Sequence, residues 1–524
     1  MKIELLKEPN LEFGNDFVSD DPKLGLSVGG CFSLSNKTHR SEINYGIIGT
    51  QNNIADTITW INKFDDIIEA SSENIEQVQQ SEILDGEIVD NIDEFENDGA
   101  LFQLSDENES NESEEVKNKR LNPDFIGFNH NSNFKCEFQN DESNNIAVKD
   151  SEFKKLIANK ELKAYEKAVS IAEIYVEAFE KLISTSISKP NICLIVIPSN
   201  VFKACSSTKM GMGKYFNFRR YLKARLIGLK DSIPVQILLE DTILQKRKSL
   251  QDLSMQAWNF CVANYYKNNC TPWTLSLKDK NTCFIGISFH KVVNEENDSL
   301  MRASIAQAFN FEGKGIIFIG KKFKWDDKKN QTHAPHLTYD YSKSLIADVI
   351  SEYKKYNNVP PNRVVIHKTT DFWSGDTHED YAEVEGLKDG IISVLGEDVL
   401  IDLVSIKNSD FKLLRSQGRY PVIRGTLLTL DQTTGVLYTT GYIPIYETFP
   451  GVHIPRPIEI NIYEGEAPIK KVAEEILALT KLNFNNCNYY DSLPITLRFA
   501  QKVGEIIQYM DEDSIPPNKY FYYM

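Results

Sequence analysis

The segment from Arg219 to Leu275 decides the fold of this chain. It contains Arg219-Arg-Tyr-Leu-Lys223-Ala-Arg225, then Ile233-Pro-Val-Gln236-Ile-Leu238, then Tyr265-Tyr-Lys267, and finally Thr271-Pro-Trp-Thr-Leu275. The first piece has a helical pattern, the second is a short apolar strand, and Lys267 closes a second, apolar helix. Because strands alternate with helices from about residue 160 to 275, the pattern predicts a small parallel α/β sheet.

Four polar side chains in this segment are candidates for binding a phosphate group. Arg219 and Lys223 are four residues apart and share one helix face, Gln236 opens the strand, and Lys267 ends the next helix. Two cations on one face, an amide and a third cation can together hold a terminal phosphate. The simpler interpretation is that they are ordinary surface cations around a βαβ unit.

The net charge of −17 comes almost entirely from one block of the chain. Residues 65 to 115 contain 19 acidic residues and no Lys or Arg; without them, 56 acidic residues face 58 basic ones. This composition predicts a disordered, solvated insertion over 65–118, with a nucleic-acid mimic as the alternative. The balanced remainder leaves room for basic grooves that bind nucleic acid.

The rest of the composition indicates a folded protein of two or three domains in a reducing compartment. The chain has 524 residues, and its eight cysteines include no CxxC pair, which argues against a zinc site and a disulfide framework. No apolar run reaches the roughly 18 residues that span a bilayer, and the N-terminus has no secretory pattern. We therefore expect a cytoplasmic protein that does not interact with membranes.

The periodicity predicts the elements on either side of this segment. Residues 1 to 64 look folded but too small for a core of their own, so we expect them to pack on a later domain. Further predicted elements before the segment are a helix from Thr57, a helix over Glu161–Leu182 and a strand over Asn191–Pro198 that is buried on both faces.

From Thr282 onwards the pattern changes to a meander of strands followed by helices. The predicted strands are Thr282–His290, Met301–Phe309, Gly315–Trp325, Asn362–Thr369, Val399–Ile406, Arg419–Leu430, Gly435–Ile445 and Ile458–Ile462. The predicted helices are Leu337–Tyr356, Ala467–Leu479 and Pro494–Met510. A mixed sheet of this kind is typical of an RNase H-like domain.

Several short motifs, taken together and in order, resemble the short prokaryotic Argonautes over nearly the whole chain. They are Glu8-Pro-Asn-Leu-Glu-Phe-Gly14, Gly46-Ile-Ile-Gly-Thr50, Lys223-Ala-Arg-Leu226, Pro234-Val-Gln-Ile-Leu238, Tyr266-Lys267, Thr271-Pro-Trp-Thr-Leu275, Phe284-Ile-Gly-Ile287, Leu479-Thr-Lys-Leu-Asn-Phe-Asn485, Pro494-Ile-Thr-Leu-Arg-Phe-Ala500 and Tyr522-Tyr-Met524. The resemblance implies a Rossmann-like MID domain over 119–275, an RNase H-like PIWI domain over 276–524, and a small N-terminal segment, residues 1–64, that packs on them.

The resemblance gives the four polar side chains a function. In this family the MID pocket holds the 5′-phosphate of a small guide strand, and Arg219, Lys223, Gln236 and Lys267 match the contacting positions. Tyr221 and Arg225 have the same spacing and remain an alternative register. In many relatives the terminal carboxylate reaches this pocket, sometimes through a divalent metal; here Met524 would supply it, as a hard oxygen ligand for Mg²⁺.

The resemblance also predicts that the PIWI part does not cleave nucleic acid. Active members need a tetrad of acidic residues, with a His or Asp in fourth place, that holds two metal ions. Ser288 and Thr369 occupy the first two carboxylate positions, and a neutral hydroxyl is a poor replacement for a charged ligand. The acidic residues just beyond Thr369 (Asp371, Asp376, Glu379 and Asp380) leave open a nuclease with an atypical metal site. His290, His367 and His378 lack metal-ligand spacing.

An Argonaute that binds nucleic acid without cutting it needs a partner protein that carries the enzymatic activity. The family implies a guide RNA, a single-stranded DNA target, and a heterodimer with an APAZ-bearing effector that oligomerises on target binding. The C-terminal pattern from Pro494 to Met524 looks most like members that pair with NAD(P)-depleting TIR–APAZ proteins in antiviral and plasmid defence. A sirtuin–APAZ or nuclease–APAZ partner is the alternative. A weaker alternative is an RNase H-fold nucleic-acid protein that uses no guide.

Overall fold

The computed structural model describes most of the chain. Its description leaves out residues 36–37, 72–119, 207–215, 247–249, 278–279, 292–300, 311, 326–329, 331, 333, 358, 416–417, 419, 452, 511–513 and 515. The disordered insertion predicted for 65–118 therefore falls outside the described residues from 72 onwards. Residues 65–71 are described, and Ile68 pairs with Phe125 across an isolated β-bridge.

Within the described residues, the strands form three sheets of nine, four and three strands. In chain order they are β1 (Lys2–Leu5), β2 (Leu11–Glu12), β3 (Val18–Ser19), β4 (Glu42–Gly49), β5 (Glu137–Ala147), β6 (Ile192–Ile197), β7 (Val235–Leu239), β8 (Thr274–Leu275), β9 (Thr282–Lys291), β10 (Met301–Phe309), β11 (Gly315–Lys324), β12 (Arg363–Lys368), β13 (Leu400–Asn408), β14 (Thr426–Thr429), β15 (Thr434–Leu437) and β16 (Ile458–Glu464).

The α-helices lie mostly between these strands. They are α1 (Pro22–Val28), α2 (Gln51–Asn62), α3 (Asp150–Ala158), α4 (Ala164–Thr185), α5 (Ser199–Cys205), α6 (Phe218–Ile227), α7 (Glu240–Ile243), α8 (Leu253–Lys267), α9 (Tyr339–Tyr356), α10 (Glu383–Leu395), α11 (Ile469–Leu479) and α12 (Ile495–Ile507). None of the helices in the described part of the chain is long and apolar enough to cross a membrane.

The four-stranded sheet is parallel throughout, in the order β5-β4-β6-β7. Strand β6 shows why it is covered on both sides. Ile192, Leu194 and Val196 belong to the large core that also contains α2 and α8 residues, whereas the alternate residues pack in a second core with α4. The apolar run in the sequence is therefore a central strand with two buried faces, as predicted.

The nine-stranded sheet is mixed, in the order β1-β14-β15-β16-β13-β12-β9-β10-β11. Its centre is parallel, because β12 pairs in parallel with both β9 and β13. Helices α9 and α10 pack on each other, and their residues share a core with β9 and β12. Helix α12 lies against β9, β10 and β12, and α11 covers β14 to β16. The predicted combination of a Rossmann-like sheet and an RNase H-like mixed sheet is confirmed.

The first 64 residues contribute strands to all three sheets. Strand β1 extends the nine-stranded sheet, β2 and β3 form a sheet with β8, and β4 is a central strand of the four-stranded sheet. We expected this segment to pack on later parts of the chain. It does so by contributing strands to sheets that also contain later strands. The domain boundaries at 64, 118 and 275 remain predictions.

A buried ion cluster fixes the N-terminal segment to the end of the nine-stranded sheet. The carboxylate of Glu8 accepts hydrogen bonds from Arg424 Nε at 3.1 Å and lies 2.7 Å from Lys481 Nζ. Burial lowers the pKa of Lys481 to about 8, while the charge of Glu8 opposes that shift. Arg424 also donates to Thr480 Oγ1 at 2.8 Å, so every charge of the cluster has polar partners.

Several predicted elements have different bounds in the structure. Helix α2 begins at Gln51 and not at Thr57, because Thr50 caps it through a hydrogen bond from Asn53 N to its hydroxyl. The strands predicted over Arg419–Leu430 and Gly435–Ile445 are reduced to four residues each, β14 and β15. Strand β5 and helices α1, α3, α5 and α10 were not predicted.

The close approach of α12 to β9 depends on Gly286. A Cβ atom built on this glycine would lie 2.0 Å from the carbonyl oxygen of Thr496 in α12. We expect Gly286→Ala to lower the free energy of unfolding by about 1–3 kcal/mol, because backbone must move to admit the methyl group. Urea denaturation measures this loss, and an unchanged midpoint would contradict so tight a contact.

Candidate functional site

Helix α6 presents different residues to its two sides. Ala224 and Ile227 pack in the large core, whereas Tyr221 and Leu226 pack in the second core with α4. Lys223 lies between these apolar stripes and is 8% exposed. The helix begins after Asn217, whose side chain accepts a hydrogen bond from the Arg220 amide at 3.1 Å. A lysine is thereby held inside the fold.

The structure brings Lys267 and Gln236 into direct contact. Lys267 is the last residue of α8 and is 2% exposed. Its ammonium donates a hydrogen bond to Gln236 Oε1 on β7, and the carbonyl oxygen of Val235 lies 3.5 Å from the same Nζ. Both acceptors recorded for Lys267 in the described part of the chain are neutral, so its buried charge is only partly compensated.

The charge of Lys223 acts on Lys267. Burial lowers the pKa of Lys267 well below its usual range, and the positive charge of Lys223 lowers it further. The contact between Lys267 and Gln236, together with the packing of α6 on β7, places two buried lysines and an amide in one region of the fold, although the two lysines are 44 residues apart in the chain. An anion with two negative charges would neutralise this region and accept hydrogen bonds from both ammonium groups.

The last residues of the sequence approach the same region. The turn Tyr520–Tyr522 packs against α8, and the Tyr522 hydroxyl donates to the carbonyl of Ser232, three residues before β7, at 3.4 Å. Met524 is 9% exposed and belongs to the large core. The assignment of its carboxylate to this pocket and the Mg²⁺ expected there remain predictions.

The alternative register on α6 places its residues elsewhere. Arg225 forms an ion pair of 3.2 Å with Glu173 on α4, and its Nη1 lies 3.4 Å from the Tyr221 hydroxyl. Residues two apart in a helix lie on nearly opposite faces, so Arg225 faces away from the side that Lys223 occupies. Arg219 lies one turn before Lys223 and is half-buried. The choice between the two registers remains a prediction.

The two hydroxyl positions of the nine-stranded sheet are neighbours. Ile287 pairs with Lys368 in the parallel register of β9 and β12, so Ser288, within β9, and Thr369, just after β12, each follow one residue of this pair on neighbouring strands. Ser288 is half-buried and Thr369 is exposed. The assignment of both residues to positions where carboxylates would be needed to hold divalent ions remains a prediction.

The acidic residues beyond Thr369 are solvent-exposed. Asp371 forms an ion pair of 2.6 Å with Lys407, and Asp376, Glu379 and Asp380 are all exposed. In the described part of the chain, the group of three ligand-type side chains close enough to share a metal is Glu42, His130 and Glu137, at the start of β4 and β5. That group lies on the other sheet.

The histidines near the hydroxyl positions have packing partners. His367 is fully buried, with Nδ1 2.8 Å from Thr496 Oγ1, and burial lowers its pKa to about 3, so it is neutral. The His378 ring stacks on Trp373 with centroids 3.7 Å apart. The side chain of His290 lies outside the described side chains.

Sequence reasoning missed a buried ion cluster beside Thr369. The Lys368 ammonium donates to both carboxylate oxygens of Glu383, at 2.8 and 2.7 Å, and His336 Nδ1 lies 3.3 Å from the same carboxylate. All three side chains are almost fully buried. Lysine inside the apolar run of β12 was the available signal, because a buried lysine needs a carboxylate partner.

Comparisons with known proteins point to one family. The chain is 22% identical over 349 residues to the Argonaute of Aquifex aeolicus (strain VF5), a match that covers 66% of this chain and 43% of that protein. It is also 22% identical over 309 residues to the Argonaute of Cereibacter sphaeroides, covering 55% and 37%. No protein-family model matches the chain.

Solved structures agree with the sequence matches. Clostridium butyricum Argonaute bound to a guide DNA and a 19-mer target DNA superposes with a TM-score of 0.59 at 15% identity, over 99% of this chain and 54% of that one. Drosophila Piwi superposes with a TM-score of 0.57 at 13% identity, over 100% and 56%. The chain thus spans about half the length, or less, of the proteins it matches. Its fold is the Argonaute/Piwi fold.

Proposed function

We propose that this chain is an Argonaute that binds the 5′-phosphate of a guide RNA between α6, β7 and α8. Lys223 and Lys267 would neutralise the phosphate, Gln236 would orient Lys267, and Arg219 would contact the phosphate from one turn earlier on α6. The observation that carries the proposal is the buried Lys267 ammonium, which has neutral acceptors and a second lysine beside it. This arrangement is costly unless an anion binds there.

A divalent cation fits this pocket only together with the phosphate. The terminal carboxylate of Met524 is a hard oxygen donor of the kind that Mg²⁺ prefers. Because two lysines, Lys223 and Lys267, already line this pocket, a metal ion beside them needs the charge of the guide phosphate as well. When bound, Mg²⁺ would supply charge neutralisation between the carboxylate and the phosphate.

We further propose that the chain recognises a single-stranded DNA target by base pairing to the guide and does not cut it. The neutral hydroxyls of Ser288 and Thr369 support this, since these residues follow the paired Ile287 and Lys368 and match positions that the resemblance assigns to metal-binding carboxylates. Base pairing would read the sequence, while the protein holds the backbones by charge and shape. A nuclease with an atypical metal site remains the second candidate, favoured by the exposed acidic residues that follow Thr369.

The effector would be a separate APAZ-bearing protein, and the resemblance of the C-terminal motifs favours a TIR–APAZ protein that depletes NAD(P) after oligomerisation. A sirtuin–APAZ or nuclease–APAZ protein is the alternative. The guide–target duplex can activate such a complex only if it binds one conformation more tightly than the other.

We expect 5′-phosphorylated RNA to bind at least about tenfold more tightly than the same RNA with a 5′-hydroxyl, a difference of about 1.4 kcal/mol. Fluorescence anisotropy with both RNAs measures the ratio. The same complex is then given a complementary DNA strand and Mg²⁺, and we expect the DNA to stay intact. Equal affinity for the two RNAs would favour an unguided RNase H-fold protein, and guide-dependent cleavage would establish the nuclease.

A further inference from the structure

Helix α12 touches the nine-stranded sheet with its first half. It packs against β9, β10 and β12. Thr496 lies so close to Gly286 that a side chain on that glycine would collide with the Thr496 carbonyl oxygen. The Thr496 hydroxyl is also 2.8 Å from His367 Nδ1 on β12. The start of α12 and the two central strands therefore cannot move independently of each other.

The far end of α12 is joined to α6, one wall of the proposed phosphate pocket. Glu505 forms an ion pair of 2.6 Å with Arg220, and the two side chains are only 21% and 25% exposed. Just beyond α12, the Tyr509 hydroxyl accepts a hydrogen bond of 3.2 Å from the Asn217 amide. Because Asn217 caps α6, both contacts hold the first turn of that helix. We call these two contacts the α6–α12 joint.

Aromatic packing gives the joint a fixed direction. The Tyr509 ring meets the rings of Phe216 and Tyr221 edge to face, with centroids 5.8 and 6.1 Å apart. Edge-to-face pairs prefer one relative orientation of the two rings. Helix α12 has 13 residues and is therefore about 20 Å long. A movement of the first turn of α6 is thus passed along a continuous helix to the central strands of the sheet.

The face of the sheet under α12 contains a polar row. Gln307 on β10 and His367 on β12 both pair with Gly286 on β9, so the three residues lie side by side on one face. Gln307 is fully buried, and neither its amide oxygen nor its amide nitrogen has a hydrogen-bond partner within the described residues. The same is true of His367 Nε2.

This polar row weakens the contact between α12 and the sheet. Buried polar atoms without hydrogen-bond partners cost free energy, which an apolar row of the same size would not. Displacing α12 along the row therefore costs less than displacing a helix from an apolar sheet. Helix α12 is thus held firmly at α6 and less firmly on the sheet, as a helix that transmits movement must be.

The polar row lies close to the two hydroxyl positions. Ser288 is two residues beyond Gly286 on β9 and shares its face, because side chains alternate along a strand. Thr369 is two residues beyond His367, just after β12. Under the proposed function the target strand passes this part of the sheet without being cut. A shift of α12 therefore acts beside the target strand.

We propose that α12 couples the guide pocket on α6 to this part of the nine-stranded sheet, so that a guide whose 5′-phosphate occupies the pocket prepares the sheet for the target strand. The inference rests on the proposed function for the nature of the two ligands. A phosphate held by Arg219 and Lys223 draws in the first turn of α6. The joint carries this movement to α12, which shifts on the polar row. Coupling of this kind is reciprocal, so a bound target also tightens the guide.

Hydrogen exchange on the full chain tests the coupling without any substitution. The amides of α12 and β12 are followed in the free protein, with saturating 5′-phosphorylated RNA, and with the same RNA carrying a 5′-hydroxyl. We expect the phosphorylated RNA to change their exchange rates at least about fivefold more than the hydroxyl RNA does, the lower end of common coupling factors. Equal changes with the two RNAs would overturn the coupling.

A double variant of the joint supplies the second measurement. Glu505→Gln/Tyr509→Phe removes a charge and a hydroxyl and keeps the size of both side chains. The matched control, Glu352→Gln/Tyr356→Phe, changes the same residue types at the same spacing on α9, where the Tyr356 hydroxyl accepts a hydrogen bond from Asn518. The quantity measured is the affinity for complementary DNA of the complex loaded with phosphorylated guide, divided by that of the complex loaded with hydroxyl guide.

This affinity ratio should be at least about fivefold in the parent and in the control, and it should fall to about one in the joint variant. The joint variant should still bind phosphorylated RNA, because Arg219, Lys223 and Lys267 are unchanged. A ratio in the joint variant equal to that of the parent, or a ratio lost equally in the control, would overturn α12 as the link and leave the proposed function standing. A parent chain that binds the two RNAs equally well would overturn both.

Discussion

Replacing Arg363 by methionine is expected to lower the free energy of unfolding by about 3–5 kcal/mol. Arg363 begins β12 and is 2% exposed. Its Nε donates to Asp402 on β13 at 2.6 Å, and its Nη2 donates to Glu475 on α11 at 3.1 Å. The guanidinium therefore joins two strands to a helix, and its loss leaves Asp402 and Glu475 buried without their main countercharge, with only Lys471 Nζ still 4.0 Å from Glu475.

The loss should depend on pH in a defined direction. Burial already raises the pKa of the Glu475 carboxyl, although Arg363 opposes the shift. Without Arg363 that pKa would rise further above its value in the unfolded chain. A carboxyl with a raised folded-state pKa costs stability as the pH rises, so the variant should lose more stability at pH 8 than at pH 5.

Two further variants make the measurement decisive. Lys154→Met breaks a surface ion pair with Asp150 and should change stability by no more than about 1 kcal/mol. Adding Asp402→Asn and Glu475→Gln to Arg363→Met should recover much of the loss, because the unpaired charges are removed. Urea denaturation followed by tryptophan fluorescence gives each value. A loss for Arg363→Met no greater than that for Lys154→Met would show that the cluster does not stabilise the fold.

Elements with strong hydrophobic patterns were predictable, and those held by tertiary contacts were not. Strand β6 was predicted from its continuous apolar run, and all six of its residues are indeed buried in the structure. Strand β5 reads Glu-Phe-Gln-Asn-Asp-Glu-Ser-Asn-Asn-Ile-Ala, which has few strand-forming residues. It pairs in parallel with β4, and Asn140 and Asn145 exchange side-chain hydrogen bonds at 3.1 and 2.8 Å. Nothing in the local sequence of β5 indicates that it pairs with β4.

The sequence allowed us to predict which residues line the candidate site. It did not allow us to predict which of their side chains touch. Helical spacing placed Arg219 and Lys223 on one face, and the strand pattern placed Gln236 on β7. The contact between Lys267 and Gln236 spans 31 residues and depends on how α8 packs beside the sheet. The spacing alone also left Tyr221 and Arg225 open, and the sequence did not show that Arg225 pairs with Glu173 on α4.

Replacing Lys267 by methionine is expected to weaken binding of a 5′-phosphorylated RNA by about 1–3 kcal/mol, the cost of losing a charge-assisted hydrogen bond. Methionine keeps most of the apolar volume, so the fold should persist. Lys223→Ala should give a similar loss. Arg225→Met is the matched control, since it removes one cation from the opposite face of α6. Its affinity should equal that of the parent, and a loss at Arg225 with none at Lys267 would establish the Tyr221–Arg225 register.

The pH dependence of binding separates a lysine that is part of the pocket from one that merely lies nearby. Burial and Lys223 lower the pKa of Lys267 in the free protein, and a bound phosphate would raise it, because an opposite charge favours the protonated form. Binding then takes up a proton, and the affinity should fall as the pH rises above the lowered pKa, until the raised pKa of the complex is passed. Titrations from about pH 7 avoid the second ionisation of the phosphate near pH 6. The slope should be present in the parent and in Arg225→Met and should disappear in Lys267→Met; an equal slope in all three proteins would mean that Lys267 does not contact the phosphate.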